Sequence, residues 1–365
     1  MSDFCVFCGE KPTAKTKEHV IPQWLIELTG DPHRKGTFGP IWTGKGFEFR
    51  QFPFRHFAFP ACEQCNQRMS KLEDSAKRVL IDILAEKALS ATDICVLLSW
   101  LDKVRIGLWL AYLYIQKNAC DISPNFYINS RIDGSDRMVL IYKSDYSYRR
   151  TTFDGAQFPA FQYIPSCFCL SVNNFHFFSV ATHLLLSKRL GLPYATGASY
   201  TNTPLFKFEV VEGRERMIYP PMRIRYERAC SQIFQPMFTM VKERASEWAE
   251  YETDYVKSMM MDHKRGIGKV LYYNGRRLNE FPSAESTCWI PPKTWREEEL
   301  RRILVKQVLA FQLHLLRYGP LEDRKVDYST VTPEKRRLIR RDLYFASQIS
   351  KMLLEKMGQL MNSRR

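Results

Sequence analysis

Apolar residues change their repeat along the chain, and the changes mark its elements. Residues 47–59 carry Phe at nearly every second position, the two-residue repeat of a strand, and Pro53 within the run predicts an edge or bent strand. From Asn66 the repeat lengthens. Met69, Leu72, Ala76, Val79, Leu80 and Ile83 follow the three-and-four spacing of a buried helical stripe, with Arg68, Lys71, Ser75 and Arg78 on another face. Thr92 is placed to cap a long helix running to about Asn118. From Ile94 to Gln116 that helix is apolar, broken by Asp102, Lys103 and Arg105, and so reads as a core helix. Further on, 168–172, Asn173-Asn174 and 175–180 read as a hairpin with a tight turn, and 270–273, Asn274-Gly275 and 276–278 as a second one. Helices are predicted over about 228–263, 295–317 and 333–360.

The first ninety residues differ in texture from the rest. They hold Cys5, Cys8, Cys62 and Cys65 in two close pairs, three of the seven His, and many Gly and Pro. The fold class expected is α+β. A small module over 1–90 is followed by a larger mixed α+β domain with long helices over 91–365, for target binding or regulation. Hydrophobic residues at 45% and charged residues at 25% are ordinary for a globular chain of 365 residues, so disorder over the whole length is excluded. The charge is not ordinary. Fifty-four Lys+Arg against 39 Asp+Glu give +15, which points to a polyanion, most often nucleic acid. Residues 290–365 carry 17 of those basic residues against 9 acidic ones, and Arg336, Arg337, Arg340 and Arg341 cluster on one helix as phosphate contacts or as a solvated face.

No run is apolar enough for a membrane span, and Met1-Ser2-Asp3-Phe4-Cys5 lacks the basic-then-apolar start of a signal peptide. A cytoplasmic protein is expected, its ten cysteines thiols or metal ligands rather than disulfides. Cys5-Val6-Phe7-Cys8 and Cys62-Glu63-Gln64-Cys65 are two CxxC knuckles. Each pair can grip a metal from a tight turn, and two pairs complete the tetrahedral four-thiolate site of structural Zn²⁺. Cys167 and Cys169, two apart on a strand, read as core packing.

The 53 residues between Cys8 and Cys62 are more than a compact zinc ribbon needs, and they contain Lys17-Glu18-His19-Val20-Ile21-Pro22. Phosphodiester hydrolysis requires a general base for water and a hard cation at the phosphate. His19 has a suitable unperturbed pKa for the base. Glu18 and Asn66 offer the oxygen ligands that Mg²⁺ or Mn²⁺ prefers. Singly, each residue has an ordinary reading: His19 a strand residue, Glu18 a surface charge, Asn66 a helix N-cap. Arg68 and Lys71 follow on the same helix and suit a phosphate backbone or plain solvent. His56, in the aromatic strand, reads as packing or as a phosphate contact.

Together these motifs resemble the HNH endonuclease superfamily, the zinc-stapled ββα-metal nucleases, and the CxxC…EHVIP…CxxCN layout is similar to that of bacterial anti-phage defence loci. The resemblance covers about residues 1–80. It implies Cys5, Cys8, Cys62 and Cys65 as zinc ligands, His19 as general base, and Glu18 and Asn66 as ligands of the catalytic cation. It further implies hydrolysis of DNA, double-stranded and foreign in origin, and other components of a defence system as partners. The chain departs from the pattern in two places. No Asn occurs between Val20 and Ala61 to match the family's middle Asn, for which Asp31, Thr43 and His56 are the candidates, and Ser70 stands where many members place a last His. Two other readings stay open, a zinc fold that binds nucleic acid without catalysis and an RNA-cleaving toxin with the same centre.

Overall fold

The computed structural model describes residues 4–12, 14–30, 33, 35–42, 47–54, 58–115, 127–182, 186–187, 194–200, 206–211, 230–237, 258–262, 265–273, 278–281, 293–322 and 348. The expected helix over 333–360 falls outside these residues except at Gln348, and His56, Arg336, Arg337, Arg340 and Arg341 fall outside entirely.

The chain opens with β1 (Lys15–His19) and α1 (Gln23–Leu28). A hairpin of β2 (Lys35–Trp42) and β3 (Phe47–Pro53) follows, then β4 (Ala58–Cys62), which pairs antiparallel with β1 so that Thr16 faces Ala61 and His19 faces Ala58. The Phe-rich run thus divides into two strands that pair with different partners, and β3 ends at Pro53, where the missing N–H interrupts a ladder.

Helix α2 (Glu63–Leu84) starts inside the second knuckle, with Cys62 as its N-cap and Glu63 in the first turn, where a carboxylate complements the helix dipole. Asn66 therefore lies within the helix and is not its cap. The expected stripe is found: Met69, Ala76, Val79, Leu80 and Ile83 are buried. They pack towards α3 (Ala91–Ile115), which is buried on all sides from Leu97 to Leu113. An all-round apolar helix needs cover on every face, and this one gets it by lying between the N-terminal elements and a central sheet. Ser90 caps α3 instead of Thr92. Its hydroxyl accepts from Asp93 N at 3.1 Å while Asp93 Oδ2 accepts from Ser90 N at 3.0 Å. A carboxylate three residues beyond Ser closes this reciprocal box, whereas the residue three beyond Thr92 is Cys95.

The sheet takes α4 (Ile128–Arg131) as its lead-in. Its strands are β5 (Asp136–Ser144), β6 (Thr151–Asp154), β7 (Cys167–Val172) and β8 (Phe175–Thr182), with α5 (Pro159–Tyr163) between β6 and β7. A separate pair, β9 (Tyr194–Tyr200) and β10 (Phe206–Val211), precedes β11 (Ser231–Gln235). Then come β12 (Met260–Asp262), β13 (Ile267–Gly268), β14 (Leu271–Tyr273), β15 (Leu278–Glu280) and β16 (Thr294–Trp295). The order across the sheet is β15-β14-β11-β5-β8-β7-β6, antiparallel throughout, with β16 joining the end of β5 in parallel.

Successive side chains alternate between the two faces. Val139, Ile141, Phe168, Leu170, Val172, Phe175 and Phe177 join the core that includes α3. Met138, Leu140, Tyr142, Cys167, Cys169, Phe178 and Val180 join a second core on the other face. There, α6 (Glu297–Glu322) lays down Leu300, Leu304, Val308, Phe311 and Leu315 at helical spacing. The result is helix, sheet, helix in three layers, a mixed α+β architecture with antiparallel pairing.

The predicted hairpin at 168–180 is present, turning through Asn173, whose positive φ of 53° Asn tolerates better than most residues. The second hairpin also pairs, Tyr273 opposite Leu278. The helix expected over 228–263 is overturned at both ends. Ser231–Gln235 is a fully buried strand between β5 and β14, and Met260–Asp262 pairs with β13. Tertiary pairing on both edges decides the first of these, since the five residues Ser-Gln-Ile-Phe-Gln are too few to carry a period of their own.

Candidate metal centre and neighbouring site

The first knuckle closes through Gly9 N to Cys5 O at 2.8 Å and Cys5 N to Glu10 O at 2.8 Å. Gly9 has φ +83°, and a Cβ there would lie 2.2 Å from Tyr127 Cε2, so both backbone and space require glycine. Val6 N donates to Pro60 O at 3.0 Å, seating this knuckle against β4, whose last residue begins the second knuckle. The four sulfurs of Cys5, Cys8, Cys62 and Cys65 lie within 4.8 Å of one another. Tetrahedral zinc with Zn–S near 2.3 Å needs sulfurs roughly 3.8 Å apart, and Cys8 Sγ to Cys62 Sγ is 3.8 Å. The cluster could therefore hold a metal ion such as zinc. Desolvation, with Cys5 and Cys8 adding to it, pushes the Cys62 thiol up to about 12, an opposition that a bound cation would reverse. All eight cysteines among the described residues are free thiols.

Asn66 Nδ2 donates to Thr16 Oγ1 at 3.2 Å, so the start of α2 is tied to β1. Thr16 and Glu18, two apart on a strand, share the face of β1 turned to α2. Glu18 is buried, and its Oε1 lies 2.5 Å from Lys103 Nζ of α3. Lys103 also pairs with Glu73 of α2, whose other oxygen accepts from Trp24 Nε1 at 2.5 Å. Burial would strip Lys103 of its proton, yet Glu73 and Glu18 hold it charged and push its pKa up. His19 ends β1 half-buried, with its Nε2 3.4 Å from Gln23 Nε2 at the start of α1.

Sequence reasoning missed Lys103 and Glu73. The signal was a lysine in an otherwise apolar helix, since a buried charge requires a partner. Asp102 and Arg105 obey the same rule: Asp102 pairs with Arg105 at 2.8 Å and with Arg137 at 3.4 Å. Arg137 also reaches Asp133 at 2.8 Å.

Arg68 and Lys71 are exposed on α2. Arg68 lines a cleft of about 760 Å³ with Met69, Cys95, Asp133, Arg137 and Arg265. No helix among the described residues is long and apolar enough to cross a membrane.

Comparison with protein families, with curated proteins and with solved structures finds no match for this chain. Fold and site define a mixed α+β protein with a four-cysteine centre able to take a metal ion, and the functional reading rests on its own residues.

Proposed function

We propose that the chain is a metal-dependent endonuclease of the HNH kind, hydrolysing DNA phosphodiesters, with a role against foreign DNA following from the sequence resemblance. One observation carries this reading: the four-cysteine cluster fastens β4 to the first knuckle, and Asn66 then meets Thr16 at 3.2 Å on the Glu18 side of the strand that ends in His19. In this reading zinc is structural. Glu18 and Asn66 supply oxygens to Mg²⁺ or Mn²⁺, a donor set that suits a hard cation, and the cation would polarise the phosphate. His19 takes the proton from water, and Arg68 and Lys71 meet the phosphate backbone. Glu18 already shares its charge with Lys103, so a cation there would share the carboxylate with, or displace, that ammonium.

This same pairing favours a second reading, a zinc fold that binds nucleic acid without cutting it, because a carboxylate committed to lysine is a weaker metal ligand. The two separate in one experiment. Pure protein is incubated with supercoiled plasmid, and in parallel with RNA, in Mg²⁺ or Mn²⁺, beside His19→Ala. The nuclease reading expects nicked or linear plasmid, a fall of roughly a hundredfold or more in His19→Ala, and unchanged zinc content and DNA affinity. Binding without cleavage by the wild type supports the second reading. Cleavage confined to RNA selects the toxin reading. Equal cutting by His19→Ala removes His19 from the chemistry.

A further inference from the structure

We propose that Asn129 is an outer partner of the four-cysteine centre, holding the Cys65 sulfur by its amide and coupling metal binding to the docking of the segment after α3. The inference rests on the metal reading of that centre. Four contacts from one short segment converge there. Asn129 Nδ2 lies 3.7 Å from Cys65 Sγ of the second knuckle. Its own backbone N donates to Phe7 O at 2.9 Å, and Ile128 N donates to Val6 O at 3.2 Å, both in the first knuckle. The Tyr127 ring fills the space over Gly9 where any side chain would stand. The segment is separated from Cys65 by more than sixty residues, yet it touches both halves of the cluster.

The chemistry of the amide suits a metal-bound sulfur. A thiolate only accepts hydrogen bonds, and the amide nitrogen only donates. Asn129 Oδ1 is buried with no hydrogen-bond partner among the described residues, so the amide spends its donor on the sulfur and leaves its acceptor unmet. Turned over, it would satisfy a protonated thiol and repel a thiolate. Outer partners of this kind commonly alter metal affinity by 10–100-fold. Asn129 is thus a positioning residue. It works in both directions, steadying Cys65 when the segment is docked and steadying the segment when metal holds the knuckles in place.

The test uses full-length protein. Zinc content and Co²⁺ binding are measured first in the wild type. Its Asn129→Leu and Asn129→Asp variants keep the size and lose the donor. Both are expected to release zinc to a chelator at least about tenfold faster, Asp faster than Leu, and to shift the sulfur-to-Co²⁺ charge-transfer band, which packing alone would leave in place. A second measurement needs no variant. Removing zinc from the wild type should speed hydrogen exchange at the Ile128 and Asn129 amides while leaving Val139, in the middle of the sheet, protected. A loaded wild type with unchanged variants, or with Ile128 and Asn129 amides indifferent to metal, overturns the role of Asn129 alone. A wild type that binds neither zinc nor cobalt overturns the metal reading as well.

Discussion

Two regions flank α3 and close their cores by different means. On the sheet side, β5, β7 and β8 bury both faces, and each face meets a long helix, so apolar area supplies most of the closure, beside the buried Asp102–Arg137 pair that joins α3 to β5. On the N-terminal side, β1 and β4 form a sheet of only two strands, a size that is marginal by itself. α2 covers it and packs Met69, Ala76, Val79, Leu80 and Ile83 towards α3, and polar links add to this: the cysteine cluster within the region, and the Glu18–Lys103–Glu73 triad and the segment at Asn129 to the rest. Both regions pack apolar side chains on α3, but the smaller N-terminal sheet leans more heavily on a few specific polar links. Perturbations of chemistry should therefore fall on the N-terminal side, and perturbations of volume on the sheet.

The sharpest way to break this comparison is to remove the metal ligands. Cys62→Ser or Cys65→Ser is expected to abolish zinc binding and unfold β1, β4 and α2, because bound zinc contributes on the order of 10 kcal/mol to small folds of this kind. The sheet should survive. Metal analysis and hydrogen exchange check it together: fast exchange in β1 and α2 with protected β5 and β8 is the expected pattern. A zinc-free wild type protected in all of these elements would show that packing suffices on both sides.

The same contrast explains what could be read from the sequence. Local patterns were legible: the stripe from Met69 to Ile83, the alternation around Asn173-Asn174, and the CxxC spacing that meets in one cluster. These depend on residues close in sequence or on a motif whose chemistry requires a partner. The strand Ser231–Gln235 was not legible, since it becomes a strand through pairing with β5 and β14. Lys103 was visible as an anomaly, but Glu18, 85 residues away, could not be named as its partner. Asn129 gave no signal, because nothing around it in sequence distinguishes a side chain that will meet a cysteine.

A smaller effect is expected at the triad. Lys103→Met leaves buried Glu18 and half-buried Glu73 without their cation, and breaking a buried pair in this way commonly costs about 3–5 kcal/mol. Adding Glu18→Gln and Glu73→Gln should recover much of the loss, since the penalty lies in uncompensated charge. Denaturant midpoints of the single and triple variants check this. A Lys103→Met midpoint equal to wild type would mean that water reaches the carboxylates and that the N-terminal side is less tightly closed than its contacts indicate.

The smallest effect concerns the far face of the sheet and tests whether a polar link at the start of α6 matters there. Glu297 opens α6. Its backbone N donates to Asp145 Oδ1 at 2.8 Å, and its carboxylate meets Arg150 and lies 3.4 Å from the Nε2 of buried His176. Desolvation would raise its pKa, but the neighbouring His176, Ser144 and Arg150 prevail and bring it down to about 2. In the unfolded chain the same group titrates at about 4.3. Between those values the unfolded chain binds more protons than the folded one, so this contribution is fully present above the unfolded pKa and is lost as pH falls towards the folded one. It amounts to at most about 2 kcal/mol after allowance for the partial exposure of Glu297. Glu297→Gln should therefore be less stable than wild type above about pH 5, and the gap should close progressively as pH falls towards about 2. Thermal midpoints of both proteins across that acid range check it, and loss of metal from protonated cysteines affects both alike. A gap that stays constant with pH would assign Glu297 a packing role and remove it as a charged link at the start of α6.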